Sequence, residues 1–322
     1  DGQYIQPVSV DEFRIGVAET YDVIVEPSDD RAYSIFSQAI DRSGYARGTL
    51  TPNLEMTIDV PSMDPAPLLS HGDMGMDMSS MDHGSMDHGS MANMDHSTMD
   101  HSKMGHDMPS KPMPMMDHSA MGHDMSSMDH NMAPMKKSKM GSGKAGYASK
   151  QKIVHPETEY GPHIDMRADA PMYRLDDPGV GLRNNGRKVL TYADIKNFYK
   201  TPDPREPERE INLHLTGNMS RYMWSINGIK FADSEPLHLK YGERVRINLI
   251  NDTMMNHPIH LHGMWSDLET GDPNYIPRKH TVIVQPGAKI SYLVTADAIG
   301  GWAYHCHLLY HMLGMFRKVV VS

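Results

Sequence analysis

Apolar and polar residues alternate along much of the chain in short runs of period two, the spacing of strands with one buried face. Residues 12–17, 20–25, 32–37 and 45–50 follow this pattern, with Pro and Gly between the runs, and read as strands. A second series starts after residue 150, at 210–215, 223–226, 244–250, 281–284, 290–294 and 301–304. Asn227-Gly228, just after one of these runs, is the pair that a tight hairpin turn prefers. Only residues 191–199 read as a helix, one short element with Thr191 as its N-cap. Short strands with frequent turn signals predict an all-β chain built as a β-sandwich. Residues 1–62 supply too few strands to close a sandwich, whereas residues 150–322 supply enough for a complete domain.

Between the two series the alternation disappears. Residues 63–149 collapse to Met, Asp, His, Ser, Gly and Lys, with Met-Asp-His at 81–83, 86–88, 94–96, 99–101, 116–118 and 128–130. Met-Gly-His-Asp-Met stands at 104–108 and again at 121–125. The repeats are too short and irregular for a solenoid. Almost nothing here buries a core, so the segment is expected to be a disordered insert. Passive linkers run to Gly, Ser, Pro or Glu. Thioethers select Cu(I) and imidazole accepts both copper oxidation states, so this composition predicts a copper-gathering tether.

Charge and cysteine content narrow the partners. A formal charge of -10 argues against nucleic acid and against an anionic membrane surface. No apolar run has the length of a membrane span. One cysteine excludes an internal disulfide and leaves the compartment open. The chain starts Asp-Gly-Gln-Tyr, without an initiator Met or a signal-peptide pattern, and reads as a mature fragment or a truncated record.

That cysteine, Cys306, lies between His305 and His307, with His311 five residues on and Met315 four beyond that. A lone cysteine is usually a small buried hydrophobe. Thiolate, imidazole and thioether in this order suit instead a blue-copper centre, in which two His and one Cys form a trigonal set and a Met sits on the axis. In an extended strand Cys306 faces one way and His305 and His307 the other, so one strand touches two metal sites. His257-Pro258-Ile259-His260-Leu261-His262 supplies the rest: His260 and His262 repeat the i, i+2 spacing for the second site, leaving His257 for the first.

These two motifs resemble the C-terminal copper motifs of the multicopper oxidases, and His-Cys-His-Leu-Leu-Tyr-His-Met is similar to the periplasmic copper resistance protein A group. The resemblance implies cupredoxin-like Greek-key sandwiches: residues 1–62 as the back of a middle domain, 63–149 as the insert, and 150–322 as the C-terminal domain. It implies type 1 copper on His257, Cys306 and His311 with Met315 axial, type 2 copper on His260, and the binuclear type 3 site on His262, His305 and His307. Electrons would leave Cys306 through His305 and His307. In cuprous-oxidising relatives Met and Asp near the type 1 copper admit Cu(I), which points to Met255, then Met254 and Asp252. His155, His163, His214, His238 and His280 are read as structural or exposed.

The pattern departs from the family in three ways. An oxygen-reducing cluster uses four His-x-His pairs, and this chain has two, 260/262 and 305/307, with none before residue 260. The others are expected on an N-terminal cupredoxin domain of the same protein. Met315 follows His311 by four residues instead of the usual five, and Met312 stands where some relatives carry a proton-donating acid. The implied activity is oxidation of Cu(I), and of phenols as well, coupled to reduction of dioxygen to water in the periplasm. The alternative is a non-catalytic copper store or carrier.

Overall fold

Two β-sheets carry the fold, and the copper motifs lie on adjacent strands of the smaller one. The computed structural model describes residues 1–76, 149 and 151–322, which fall in one compact unit. The Met/Asp/His repeats lie outside the described residues. The smaller sheet has five strands in the order Thr281–Val284, His257–Leu261, Gly300–Cys306, Phe316–Val321 and Leu237–Leu239. The larger runs Arg278–Lys279, Ser266–Leu268, Ala288–Thr295, Arg244–Asn251, Arg209–Asn218 and Met223–Ile226, with Met172–Tyr173 added beside Ala288–Thr295. Few sheet neighbours are consecutive in sequence, so the chain crosses repeatedly between the two sheets.

Alternation builds the core. Leu213 and Leu215, Val245, Ile247 and Leu249, Ile259 and Leu261, and Ile290, Tyr292 and Val294 recur at every second position, and all belong to one buried cluster that also holds Cys306 and Met315. Burial of this apolar surface is the main force holding the sheets face to face. The tight turn at Asn227-Gly228 forms, closed by a single bridge and not by two paired strands. Both residues have positive φ, 51° and 71°, the conformation of a type I′ turn, and Ile226 bridges to Ile229 across it.

Three expectations need correction. Residues 20–25 form no strand: no neighbouring chain pairs with them among the described residues, and Val23, Ile24 and Val25 are 58%, 89% and 60% exposed. Alternation supplies a strand's faces but not its hydrogen-bond partner. Of the run at 12–17 only Glu12–Phe13 pairs, parallel to Val189–Leu190. The helix expected at 191–199 shrinks to a single 3-10 turn, Tyr192–Asp194. Its entry is held by the Asp194 carboxylate, which accepts from the Thr191 N–H at 2.9 Å and its hydroxyl at 2.8 Å. Beyond it the chain is drawn away, because the Asn197 N–H donates to the Tyr275 carbonyl.

Candidate metal centre

Strand register decides where the motif side chains go. The His257–Leu261 and Gly300–Cys306 strands are antiparallel neighbours, with Ile259 opposite Cys306 and His260 opposite His305. Side chains opposite one another share a face. Cys306 therefore turns inward with Ile259 and His257, while His260 and His305 turn to the other side.

On the inner side His257, Cys306 and His311 come together, all buried. The Cys306 sulfur lies 3.6 Å from His257 Nδ1 and 3.7 Å from His311 Nδ1, and the two nitrogens are 3.3 Å apart. A first-row divalent ion holds imidazole nitrogen and thiolate sulfur at about 2.0–2.3 Å, which separates donors in a trigonal plane by about 3.5 Å. The three atoms thus fit one ion with no rearrangement. Met315 is fully buried and closes the ligand loop through its backbone, donating to the His311 carbonyl at 2.8 Å and accepting from the Cys306 N–H at 3.0 Å.

Three residues that the sequence did not single out hold these ligands. The Thr253 hydroxyl lies 2.6 Å from His257 Nε2 and 2.9 Å from Asn251 Oδ1. Thr253 donates to Asn251 and accepts from His257 Nε2–H, which leaves the Nδ1 lone pair facing Cys306. The Trp224 indole stacks on His311 with centroids 3.8 Å apart and planes at 18°, fixing that ring's rotation. Thr253 stands four residues before His257 in a turn, and Trp224 reads as an ordinary core residue of its strand, so neither gave a local signal.

The outer face gathers four histidines. His262 and His305 approach Nε2 to Nε2 at 3.1 Å, and the His260 ring lies 5.7 Å from His305 and 5.6 Å from His307. Backbone carbonyls set two tautomers: His260 Nδ1–H donates to the His280 carbonyl at 2.7 Å, and His305 Nδ1–H to the Cys306 carbonyl at 3.0 Å. Their Nε2 lone pairs are thereby left free for a cation. The His280 ring is 5.3 Å from His260, closer to this cluster than its reading as a structural residue implied.

Burial sets the protonation. It lowers the pKa of His311 to about 4, and that of His260 to about 4. It also lowers His257 well below the ordinary imidazole value, with the neighbouring His311 adding to the effect. These three imidazoles are therefore neutral, the ligating form, well into mild acid. Burial also pushes the Cys306 thiol up to about 12, so its thiolate forms only against a cation, with release of a proton.

A stability prediction follows from the sign of these shifts. His257, His260, His280, His305 and His311 are all lowered from 6.5, and only His155 among the shifted histidines is raised. Between 6.5 and about 4 the unfolded chain binds protons that the folded chain refuses, so stability falls as pH drops through that window. Melting the metal-free chain across this range should give a steadily falling Tm; a constant Tm would contradict the burial argument.

Of the residues expected to admit Cu(I), Met254 is 38% exposed and Met255 packs partly buried on the core. Asp252 is apart from them. It is fully buried, and its carboxylate turns to the Ala168 N–H at 2.7 Å and His214 Nδ1 at 2.7 Å, so it presents no ligand atom beside Met254. His214, expected to be structural or exposed, is its buried partner.

A two-sheet sandwich holding a buried trigonal His2Cys set is the architecture of a cupredoxin-like copper protein. Two family models, both described as multicopper oxidase, match residues 1–53 and 204–322. Copper resistance protein A of Escherichia coli is 56% identical over the whole of this chain, and Copper resistance protein A of Pseudomonas syringae pv. tomato is 58% identical. In both cases the chain spans 51% of the relative's length. Among solved structures, the blue copper oxidase from Nitrosomonas europaea matches with TM-score 0.33 and 23% identity, over 35% of this chain and 43% of that one. The chain belongs to the multicopper oxidases, an oxidoreductase family whose cofactor is copper.

Proposed function

We propose that this chain is the type 1 copper half of a periplasmic multicopper oxidase that oxidises Cu(I) and reduces dioxygen to water, and so confers copper resistance. The observation that carries this reading is the register of Ile259 with Cys306 and His260 with His305, which puts a trigonal ligand set on one side of this pair of strands and four histidines on the other. Bound copper would supply one-electron chemistry at the first set and oxygen reduction at the second. His257, Cys306 and His311 would hold the type 1 ion, with Met315 as a further ligand. His260 serves type 2 copper, and His262, His305 and His307 serve the type 3 pair.

Cys306 shares peptide bonds with His305 and His307, a covalent route for electrons between the two sets. The buried sandwich keeps water from the thiolate. The chain contributes two of the four His-x-His pairs that the family's cluster uses, and on this reading the other two would lie on a further domain of the same protein. Met255, with Met254 beside it, offers the thioethers that suit cuprous ion as substrate. The Met/Asp/His repeats raise the local concentration of that substrate through many exchangeable sites. Phenols are a second substrate class at the same electron-entry site.

The test uses the full-length protein. Oxygen uptake in step with added Cu(I) is expected, whereas copper bound without oxygen uptake would make the protein a store or carrier. Met255→Leu keeps the volume and removes the sulfur. It should lower the Cu(I) oxidation rate by roughly tenfold even with copper abundant, the effect of about 1.4 kcal/mol of lost transition-state stabilisation. Deleting residues 66–140 should lower the rate only when a chelator keeps free Cu(I) scarce. If the deletion slows phenol and Cu(I) oxidation equally, the repeats are structural and the copper-gathering reading fails.

A further inference from the structure

A second set of ligand-type side chains lies elsewhere in the sandwich and shares no residue with the copper motifs. His214, in the Arg209–Asn218 strand, and Asp252, just beyond Arg244–Asn251, stand on parallel neighbouring strands of the larger sheet. His155 and Glu159 reach them from the segment that follows the Met/Asp/His repeats, Glu159 from the 3-10 turn Glu157–Glu159. Glu159 and Asp252 are fully buried, His214 is 2% exposed, and the ligand atoms of all four residues lie within 4.8 Å of one another.

Both imidazoles aim Nδ1 at both carboxylates. His155 Nδ1 is 2.8 Å from Glu159 Oε2 and 3.6 Å from Asp252 Oδ2; His214 Nδ1 is 2.7 Å from Asp252 Oδ2 and 3.5 Å from Glu159 Oε2. In a tetrahedral site with bonds of about 2.0–2.1 Å, ligand atoms sit about 3.3 Å apart, and the four distances straddle that value. The outer contacts are those of a metal site as well. Ala168 accepts at its carbonyl from His155 Nε2 at 3.2 Å and donates its N–H to Asp252 Oδ1 at 2.7 Å, so one residue orients an imidazole and a carboxylate together. Glu159 Oε1 is buried without a hydrogen-bond partner, and an unpartnered carboxylate oxygen away from water is costly unless a cation compensates it.

We propose that His155, Glu159, His214 and Asp252 form a closed four-ligand site for a divalent first-row cation. Two nitrogens and two carboxylate oxygens with no sulfur select the divalent ion over Cu(I), and among such ions affinity rises toward Cu²⁺. Two carboxylates and two neutral imidazoles around a divalent cation leave no net charge. The site would pin residues 155–168, where the chain returns from the repeats, onto strands whose next residues lead through Thr253 to His257.

The test is a titration of the whole chain, stripped by chelator, with Co²⁺ as an optical probe of tetrahedral ligation and Zn²⁺ as its colourless counterpart. Wild type should hold one more tightly bound equivalent than His155→Ala and show, beyond the bands of cobalt at Cys306, a further set of tetrahedral Co²⁺ ligand-field bands that this variant lacks. Both should keep the cobalt–thiolate band of Cys306, which shows that the sandwich is intact. Glu159→Gln, isosteric and uncharged, should weaken binding at this site by at least about 100-fold, since even outer-shell changes weaken metal sites by 10–100-fold. Zn²⁺ should raise the Tm of wild type and raise it less in either variant. Equal metal counts, equal spectra and an equal Zn²⁺ effect on Tm in all three proteins would overturn the proposal, leaving a proton-bridged ion-pair cluster.

Discussion

Replacing Cys306 by Ser abolishes the intense visible absorption of the copper-loaded chain while leaving the sandwich folded. Cupric thiolate ligation is the source of that colour, and Cys306 is the only thiol in the sequence. The hydroxyl is isosteric within a few tenths of an ångström, and the N–H of residue 306 still donates to the Met315 carbonyl, as in the wild type at 3.0 Å. What is lost is a soft anionic donor between two neutral imidazoles. The ligands of the trigonal set and the residues that orient them, Asn251, Thr253 and Trp224, all belong to this chain, so the wild-type chain by itself should be blue. A colourless wild type with copper bound at one equivalent would refute the ligand assignment, as would a blue Cys306→Ser.

The second large effect comes from a position with no chemistry of its own. Gly314 sits between His311 and Met315, and a Cβ there would lie 1.8 Å from the Trp224 carbonyl oxygen. Side chains yield to such an overlap; a backbone carbonyl inside a strand does not. Relief requires the ligand loop to move away from Trp224. That loop is tied by Gly314 N–H to the His311 carbonyl at 3.1 Å and by Phe231 N–H to the Gly314 carbonyl at 3.0 Å, and the His311 ring rests on the Trp224 indole. Gly314→Ala should therefore destabilise the chain by about 3 kcal/mol, the upper part of the range for overpacking. It should also shift the type 1 spectrum, because His311 loses its seat. Chemical denaturation and a visible spectrum of the same sample check both. An unchanged midpoint with an unchanged spectrum would mean that the loop accommodates the methyl group and that its close approach to Trp224 is not required.

The two effects differ in how visible they are before folding is known. Cys306 announces itself through its flanking histidines, because a strand's period of two converts His-Cys-His into two faces. Gly314 is one of 26 glycines, and nothing in its neighbours says that Trp224, 90 positions earlier, packs against it. The same contrast holds for Thr253, whose hydroxyl turns His257 toward the thiol, and for Trp224 itself. A residue that acts by touching another far away in the chain leaves no local periodicity to read.

The strands were legible where alternation met a partner. The run at 281–284 is the strand Thr281–Val284 as expected, and 244–250 extends by a single residue to Asn251. The run at 20–25 has the same local pattern and forms no strand, because a ladder needs a second chain segment alongside and alternation does not specify one. Asn227-Gly228 was legible for the opposite reason: its positive φ values are a local property of those two residues.

The sequence by itself determined the all-β class, the Asn227-Gly228 turn, the spacing of the copper motifs and the separation of Cys306 from its neighbouring histidines onto opposite faces. All of these depend on backbone geometry over a few residues. Only the tertiary structure decided that His257 and His311 meet Cys306 within 3.7 Å, that Asp252 turns away from the methionines, and that it meets His155, Glu159 and His214 instead. His155 and Asp252 stand almost 100 positions apart, on either side of several crossings between the sheets. Which side chains come together across such distances is set by strand order and register, and these follow from burying the whole apolar surface at once, which no single stretch of residues encodes.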